Sequence, residues 1–555
     1  MPSSLQLAFH HQNRDLSSIQ PDTYKGLYRI HRYWGRKPPN VVRAYIEAYS
    51  NPGDLVLDPF VGSGVTVIES VVTGRRAIGV DINPLSILLT RTSISGADLV
   101  NVEEAFQRLK RSLAPAIDDY YATICPVCGS QATITHTIWQ DSTPQEIWCR
   151  CQLCNTRKAV KEPSEEDLRR AMPSLPTKRE LWLPDVRLIP NSRISAKPGM
   201  TVRDLFDPRN LIVLGRIYEA INKIDDALTR EHLLLAFTAA VPQASRLVFV
   251  IRRRGNNRGA KKRSPTEVGS WVIGFWCPEE HFEVNAWACF ERRVKKLLRG
   301  KRELFSRMSH GIMAEGNPAQ VINGSATHAA VVGSAESIHW LPDESVAYIF
   351  TDPPHGDRQP YLELSAIWNA WLDSDVAFED EIVVSDAPSR NKDEDEYFTR
   401  LRNALSEMRR VLKPNGKLTF AFNSLNNETW LQLTRLFSEL GFALTQADTI
   451  SYSAGSVVQD NRQKGLTNDL LITWEKTDDK FSVTSMTPTS IPEQAKRDLV
   501  CAFTGTRQGA RISEILSATL RRGLAEQCLY DIDEIIEFIN TYFTPDGLLW
   551  HPKRL

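Results

Sequence analysis

The sequence predicts an α/β protein: a mostly parallel, doubly wound, Rossmann-like sheet, split in sequence by an insert with a zinc ribbon and followed by a helical C-terminal tail. Three observations predict it. Two short apolar runs, residues 55–57 and 77–80, each end in an acid and enclose a glycine turn and a helix-like run. A third run, residues 346–350, ends in the same way but lies far downstream. Paired cysteines at metal-ligand spacing lie between them.

Length and composition bound the remaining possibilities. The chain has 555 residues, enough for two to four domains, and 42% of them are apolar and 24% charged, with a net charge of zero. These are values typical of a soluble globular protein. The sequence contains no apolar run of about 18 residues and begins without a secretory signal, so we expect no membrane contact and a cytoplasmic location. The nine cysteines are compatible with that reducing compartment.

The first apolar run leads into the glycine turn, which reads Asp58-Pro59-Phe60-Val61-Gly62-Ser63-Gly64. Glycines let a ligand approach the backbone and leave the N–H groups at the start of the next helix free for it. Asp81, at the tip of the second strand, is placed to bind ribose hydroxyls. The turn is not a dinucleotide fingerprint, because the third glycine position is Val67, and it lacks the lysine of a P-loop.

The downstream strand ends in Asp352-Pro353-Pro354-His355. Neither proline has an N–H group, so this turn presents a carboxylate and backbone carbonyls, all of which are hydrogen-bond acceptors. Such a turn suits an exocyclic amino group on a planar ring, with the His355 ring available to stack on the face of that ring. The simpler alternative is a buried strand followed by a proline turn.

Together the two turns resemble the motifs of the amino-methylating DNA methyltransferases, which act on adenine N6 or cytosine N4. Residues 31–38, which include Lys37-Pro38, resemble the cofactor motif that precedes the glycine loop in that family. Residues 333–335 and 341–345 resemble the strand and turn ahead of the catalytic motif, and residues 411–418 resemble a late turn and strand. The resemblance covers roughly residues 25–95 and 328–476.

The resemblance implies S-adenosylmethionine as cofactor, DNA as substrate, and two sets of site residues. The implied catalytic residues are Asp352, Pro353, Pro354 and His355. The implied cofactor-binding residues are Lys37, Asp58, Phe60, Gly62, Gly64, Asp81 and Ser334. The sequence departs from the family at His355, where a tyrosine is usual. The order of the motifs resembles that of one group of the family, whereas the residues of the glycine loop resemble those of another group. The motif order therefore does not assign the target base.

The cysteines of the insert form two Cys-x-x-Cys knuckles, Cys125/Cys128 and Cys151/Cys154, separated by about twenty residues. Four thiolates at this spacing favour a structural zinc ion, since they leave no open coordination position for water. Cys149 is a spare that could replace Cys151. The alternative is a group of free thiols or a redox pair.

Charge is unevenly distributed along the chain. Residues 252–302 hold 14 Lys/Arg and 5 Asp/Glu, and the Arg-rich part up to residue 263 predicts contact with nucleic-acid phosphates. Residues 373–396 hold ten acids and two bases and are predicted to form a solvated loop, with a lid or partner-docking role as the alternative. The aromatic residues Trp271, Phe275, Trp276 and Trp287 are predicted to be core residues.

We therefore predict five segments. They are a flexible arm (1–20), the cofactor-binding half of a methyltransferase domain (21–95), an insert (96–327) with the zinc ribbon (120–160) and a basic nucleic-acid-binding region, the catalytic half (328–478), and a helical C-terminal domain (493–555). The predicted function is methylation of adenine N6 or cytosine N4 in DNA, in a restriction-modification or phage-defence setting, with other subunits of such a system as potential partners. The alternatives are a methyltransferase of structured RNA, a weakened nucleic-acid-binding subunit of a defence complex, and a methyltransferase of amides.

Overall fold

The structure is a computed structural model that describes residues 16, 19–252, 266–307, 314–356, 359–424, 426–451, 468–478, 489–504, 510, 512–526, 528–546 and 549–553. The strands are β1 (Leu55–Asp58), β2 (Arg76–Asp81), β3 (Ala122–Ile124), β4 (Gln131–Gln140), β5 (Thr143–Arg150), β6 (Ala159–Lys161), β7 (Val248–Arg252), β8 (Thr266–Trp271), β9 (Glu280–Val284), β10 (His328–Val332), β11 (Val346–Thr351), β12 (Leu412–Phe422), β13 (Phe442–Ser451), β14 (Asn468–Lys476), β15 (Phe543–Asp546) and β16 (Leu549–Pro552). The helices are α1 (Pro39–Tyr49), α2 (Val65–Val72), α3 (Pro84–Ile94), α4 (Leu99–Tyr120), α5 (Glu165–Ala171), α6 (Pro208–Asn222), α7 (Ala227–Ala240), α8 (Ala286–Arg307), α9 (Pro318–Ile322), α10 (Tyr361–Asn369), α11 (Glu394–Val411), α12 (Asn427–Glu439), α13 (Glu493–Thr504), α14 (Ile512–Ala525) and α15 (Ile532–Tyr542).

A seven-stranded sheet, in the order β10-β2-β1-β11-β12-β14-β13, forms the centre of the molecule. Its first five strands are parallel, and β14 runs antiparallel to both of its neighbours. The α/β class predicted from the sequence is confirmed. Because β1 has β2 on one side and the distant β11 on the other, the chain changes direction across the sheet at β1. A ligand cleft is expected at the carboxyl ends of the strands around that point.

Residues between α3 and β10 build a second sheet, in the order β6-β5-β4-β9-β7-β8 with β3 on β4, and the helices α4 to α8. This insert is tied to the first half of the central domain through Lys301 of α8, which is fully buried. Its ammonium group donates to the carbonyls of Thr92, Ser93 and Ser95 at the end of α3, at 2.7–3.0 Å. A cation at the C-terminal end of a helix is favoured by the helix dipole.

The C-terminal region differs from the predicted helical tail. It contains α13, α14 and α15, but a two-stranded hairpin, β15 with β16, follows them. The spacing of Ile532, Ile535, Ile536 and Ile539 predicts one buried face of α15. Ile535 and Ile539 are fully buried, whereas Ile536 is 41% exposed, so the prediction is wrong for Ile536. Residues four apart share a helix face, whereas adjacent residues point about 100° apart. The predicted core position of Trp276 is also wrong, since it is half exposed, whereas Phe275 is buried.

No helix among the described residues is long and apolar enough to cross a membrane.

Candidate active site

A cleft with about 860 Å³ of empty space lies at the carboxyl ends of the central strands. Three of the carboxylates that border it lie at strand ends: Asp58 ends β1, Asp81 ends β2, and Asp352 follows β11. The parallel register explains this convergence, because Val56 of β1 pairs with Ala77 of β2 and with Tyr348 of β11. Of the predicted site residues, Lys37, Asp58, Phe60, Gly62, Asp81, Ser334, Asp352 and Pro354 line this single cleft.

The glycine turn places backbone N–H groups at the cleft wall. Gly62 adopts a positive φ of 49°, and its N–H group donates to Asp81 Oδ2 at 2.9 Å. Gly64 has a different role from the predicted contact with the cofactor. It caps α2 with φ at 80°, and a Cβ atom there would approach Thr90 Oγ1 of α3 to 2.7 Å. Gly64 is therefore needed for helix packing, and it does not line the cleft.

Asp81 is held by two backbone hydrogen bonds. Besides the Gly62 N–H group, the Asn83 N–H group donates to its Oδ1 at 2.9 Å. Burial raises the pKa of this carboxyl group to about 6, and the two backbone donors oppose that rise. Each carboxylate oxygen accepts more than one hydrogen bond, so an ionised Asp81 keeps acceptor capacity for a ligand hydroxyl.

Asp58 lies deeper than Asp81. Its Oδ1 accepts from Thr351 Oγ1 at 2.9 Å and from the Phe60 N–H group at 3.1 Å. Burial raises the pKa of Asp58 to about 7, against the effect of these donors. Two carboxyl groups with raised pKa values at one cleft are typical of a functional site.

The Asp352 carboxylate already has a partner on each oxygen. Lys37 Nζ is 2.5 Å from Oδ2, and His355 Nε2 is 3.1 Å from Oδ1. Lys37 was predicted to bind the cofactor; its side chain, which is 5% exposed, instead reaches the implied catalytic acid from the cleft wall. Each oxygen can accept a further hydrogen bond, so a ligand amine could bind beside this ammonium group.

His355 lies behind Asp352, outside the cleft lining. Its Nε2 atom is 3.1 Å from the carbonyl oxygen of Ala421 and 3.1 Å from Asp352. Both partners are acceptors, so this nitrogen carries the proton and donates. The ring packs against Phe422, with the centroids 5.0 Å apart. In this arrangement His355 orients Asp352, and stacking on a base remains a prediction.

The prolines of the turn have different surroundings. Pro353 is buried, and Pro354 is partly exposed at the cleft. The carbonyl of Pro354 accepts from the Tyr397 hydroxyl of α11 at 2.8 Å, which fixes the direction of the turn.

The acidic residues 373–396 were predicted to be a solvated loop, and this is wrong for residues 380–383, although most of the acids in the stretch are exposed. Ile382 and Val383 are buried, and Asp380, Glu381 and Ile382 line the cleft. Arg390 explains how the acids are accommodated. Its guanidinium group is 2.7 Å from Glu381 and 2.6 Å from Glu363 of α10, and all three side chains are at most 3% exposed. Burial and the neighbouring Glu363 raise the pKa of Glu381 to about 7.

Two further features of the cleft were missed from the sequence. Asn83, next to the Asp81 loop, donates to Ser365 at 2.8 Å and accepts from Asn369 at 3.0 Å, which links the cofactor half to α10. The buried indole N–H group of Trp34, in the cleft wall, has no hydrogen-bond partner among the described residues.

The four predicted zinc ligands lie together at a second site. The turn between β3 and β4 carries Cys125 and Cys128, and residues after β5 carry Cys151 and Cys154. The sulfur atoms of Cys125 and Cys154 are 3.8 Å apart, those of Cys128 and Cys151 are 3.6 Å apart, and all four lie within 4.8 Å of one another. Thiolates at about 2.3 Å from a tetrahedral zinc ion stand about 3.8 Å apart, so the set fits the ion. Cys149 is buried apart from this group.

Comparisons with known proteins agree with the motifs of the N-terminal half. Residues 9–89 match the family model described as DNA methylase. The chain is 33% identical over 99 residues to the type II methyltransferase M.MjaII of Methanocaldococcus jannaschii, which is 18% of this chain and 17% of the relative. It is 38% identical over 76 residues to the DNA adenine methyltransferase YhdJ of Escherichia coli K12, which is 14% of this chain and 26% of the relative. The predicted resemblance to the amino-methylating DNA methyltransferases is confirmed.

The matched stretches are short. The chain spans about a sixth of the length of the first relative and about a quarter of the second. Among solved structures, an antibiotic-resistance methyltransferase, Kmr, is 14% identical over 32% of this chain and 73% of that chain, with a TM-score of 0.17. A score this low supports no conclusion about this chain.

Proposed function

We propose that the protein methylates an exocyclic amine of DNA, adenine N6 or cytosine N4, with S-adenosylmethionine as the methyl donor. One observation carries the proposal: an Asp-Pro-Pro turn delivers Asp352 into the same cleft as Asp58 and Asp81. The similarity of residues 9–89 to DNA methylases supports the cofactor assignment.

The residues of the cleft fit the cofactor. Asp81 would accept from ribose hydroxyls at the end of β2, as acids at this position of such sheets do. Tyr33, Trp34 and Phe60 line the cleft and offer aromatic surface for an adenine ring. S-adenosylmethionine supplies an electrophilic methyl group, so the protein needs no covalent nucleophile.

The task of the protein is then to position the amine and to place charge near it. Asp352 would accept a hydrogen bond from the amine, which directs the nitrogen lone pair away from the carboxylate. His355 holds the carboxylate by donating to Oδ1. Lys37 occupies one acceptor site of Oδ2, and this oxygen can accept a second hydrogen bond from the amine. A base in duplex DNA must also leave the stack, which costs a few kcal/mol.

The experiment that tests the proposal compares acceptors. Purified protein is incubated with labelled S-adenosylmethionine and either duplex DNA, single-stranded DNA or structured RNA. We expect label in DNA alone, and methylation-aware sequencing of the product then gives the target base and its context. Label in RNA alone would replace the proposal by RNA methylation.

The pairing of Asp352 favours a second candidate, a nucleic-acid-binding subunit of a defence complex without full activity. Both carboxylate oxygens are engaged, and His355 stands where the family has tyrosine. This candidate predicts normal cofactor binding and no transfer to any DNA, including by His355→Tyr. Transfer by the wild-type protein would exclude it.

We also propose one structural zinc ion held by Cys125, Cys128, Cys151 and Cys154. The spacing of the four sulfur atoms and the two tight turns that present them support the assignment. Metal analysis is expected to give one zinc per chain, lost in the double variant Cys128→Ser with Cys154→Ser and retained in Cys149→Ser. Full zinc in the double variant would contradict the site.

DNA is the proposed partner, in a restriction-modification or phage-defence setting. The relatives named type II methyltransferases support that setting. The predicted phosphate-contacting residues Arg253, Arg254, Lys261 and Lys262 lie outside the described residues. Arg252 is described, and it pairs with Glu280, so its charge is already compensated.

A further inference from the structure

Helix α8 has an apolar inner face and a cationic outer face. Val294, Leu297 and Leu298 are among its buried residues. On the solvent side, Arg292, Lys296 and Arg299 are exposed. Their spacing of four and then three residues places them along one face of the helix. Over the seven residue-to-residue steps from Arg292 to Arg299, the helix rises about 10.5 Å.

The other exposed cations of α8 are neutralised by carboxylates. These pairs are Lys295 with Glu291, Arg302 with Glu103, and Arg307 with Glu69, at 2.8–3.5 Å. Arg29, the last residue of the short helical turn Gly26–Arg29 that packs on α8, is also exposed. Within the described part of the chain, no carboxylate lies within 4.0 Å of Arg29, Arg292, Lys296 or Arg299. We call these four residues the basic face. Burial lowers the pKa of Lys296, and the positive charges of the surrounding arginines lower it further. The cations of the basic face are therefore close enough to repel one another.

The basic face adjoins the active-site cleft through the chain itself. α8 packs directly on the short helical turn Gly26–Arg29: a Cβ atom on Gly300 would be 3.0 Å from Leu27 Cα. Arg293 of α8 also donates to the carbonyl of Ile30 at 2.8 Å. Four residues after Arg29 the chain reaches Tyr33 in the cleft wall, a span of at most about 14 Å.

We infer that the basic face binds the phosphate backbone of DNA and guides the strand that carries the target base into the cleft. The inference rests on the proposed function for the identity of the substrate. The row ends at the exposed Glu303, four residues after Arg299, so the three cations form a continuous cationic segment between Arg292 and Arg299 on this face. The length of the row is comparable to the spacing of phosphates, since about 10.5 Å of the B-DNA helix axis holds about three phosphates of one strand.

The test is the quadruple variant Arg29→Gln, Arg292→Gln, Lys296→Gln and Arg299→Gln in the full chain, with binding to a labelled DNA duplex measured at several salt concentrations. Each phosphate contact contributes about 0.9 to the slope of log K against log salt. Loss of three or four contacts is expected to flatten the slope by about 3 and to weaken binding at least about ten-fold at 0.1 M salt. The loss should be similar for unrelated DNA sequences, because phosphate contacts carry no sequence information.

A matched control removes the same charge from scattered exposed positions: Lys223→Gln, Lys413→Gln, Arg435→Gln and Arg497→Gln. It is expected to keep the wild-type slope. Equal slopes in the basic-face variant and the wild type would overturn the inference, as would an equal loss in the control, which would reduce the effect to net charge. A slope change with an RNA duplex and none with DNA would also overturn it.

Two further readouts separate this inference from the proposed function. Cofactor affinity and melting temperature are expected to be unchanged in the basic-face variant, because its four side chains are exposed. A wild-type protein that binds DNA through the basic face and transfers no methyl group would refute the proposed function and leave the surface standing. Normal DNA methylation together with an unchanged salt slope in the basic-face variant would support the proposed function and refute DNA binding by the basic face.

Discussion

Asp81→Asn is the substitution that most directly probes the cofactor end of the cleft. The carboxylate accepts from the Gly62 and Asn83 N–H groups at 2.9 Å each, and it would accept from the ribose hydroxyls as well. Hydrogen bonds to a charged group contribute about 1.5–3 kcal/mol. Asparagine keeps the shape and one acceptor oxygen but loses the charge. We expect the Kd for S-adenosylmethionine to rise about ten-fold to a hundred-fold, since 1.4 kcal/mol corresponds to about ten-fold.

The pH dependence of binding gives a second, independent readout. The pKa of Asp81 is raised to about 6, and donors from the ligand favour the ionised form. Protonation therefore opposes binding, and the Kd is expected to rise as the pH falls through 6, by about ten-fold between pH 8 and pH 5 for one proton. Asp81→Asn cannot titrate at this position, so its Kd should lack that component of the rise. Comparing both proteins with one ligand removes the ligand's own titration from the difference.

Calorimetry at pH 8, 7, 6 and 5 measures both effects. Asp54→Asn is the control, because Asp54 lies just before β1, at the opposite end of that strand from the cleft. Its affinity and pH profile are expected to match those of the wild type. Unchanged affinity in Asp81→Asn, or a pH profile that it shares with the wild type, would refute the ribose-binding role of Asp81.

The remaining predictions concern the cleft wall, the histidine and the deepest acid. Arg390→Ala leaves two buried glutamates unpaired and is expected to destabilise the protein by about 3–5 kcal/mol. The control, Arg402→Ala at an exposed ion pair, should change stability by less than about 1 kcal/mol. Equal thermal shifts in the two variants would contradict this. His355→Ala removes the donor that orients Asp352, the proposed catalytic acid. Single-turnover transfer is therefore expected to slow by about ten-fold or more with cofactor affinity unchanged, whereas His355→Tyr should retain activity. Loss of cofactor affinity alone would contradict the orienting role. The pKa of Asp58 in the folded protein is about 7, above its value in the unfolded chain. Its contribution to the free energy of unfolding is therefore present at about pH 4 and is lost as the pH rises to 7. The loss is at most about 1.4 kcal/mol for each pH unit. Asp58→Asn should flatten this part of the stability profile, and a profile identical to that of the wild type would show that the acid is not buried as described.

Features encoded in short stretches could be predicted from the sequence. The strands before Asp58, Asp81 and Asp352 are apolar runs ended by an acid, and the rule that parallel strands present their carboxyl ends on one edge brought the three acids together. The cysteine knuckles are equally local, since each supplies two ligands from one tight turn.

Features that depend on distant parts of the chain could not be predicted in this way. Lys37 and Asp352 are 315 residues apart, and no local pattern pairs them. The prediction of a solvated loop fails at residues 380–383 because the acidic composition of the stretch obscures Ile382, Val383 and the single Arg390, which together allow Glu381 to be buried. An arginine among acids that flank an apolar pair is the signal that could have indicated a buried ion pair.

The central claim, that Asp352 presents an amine of DNA for methylation, is tested most directly by identifying the methylated nucleoside. DNA is incubated with S-adenosylmethionine and either the wild type or Asp352→Asn, digested to nucleosides and analysed by mass spectrometry, with cofactor binding measured in parallel. We predict N6-methyladenine or N4-methylcytosine with the wild type, a decrease of at least about 100-fold with Asp352→Asn, and similar cofactor affinity for both proteins. Undiminished methylation by Asp352→Asn, or a product methylated on carbon, would contradict the account.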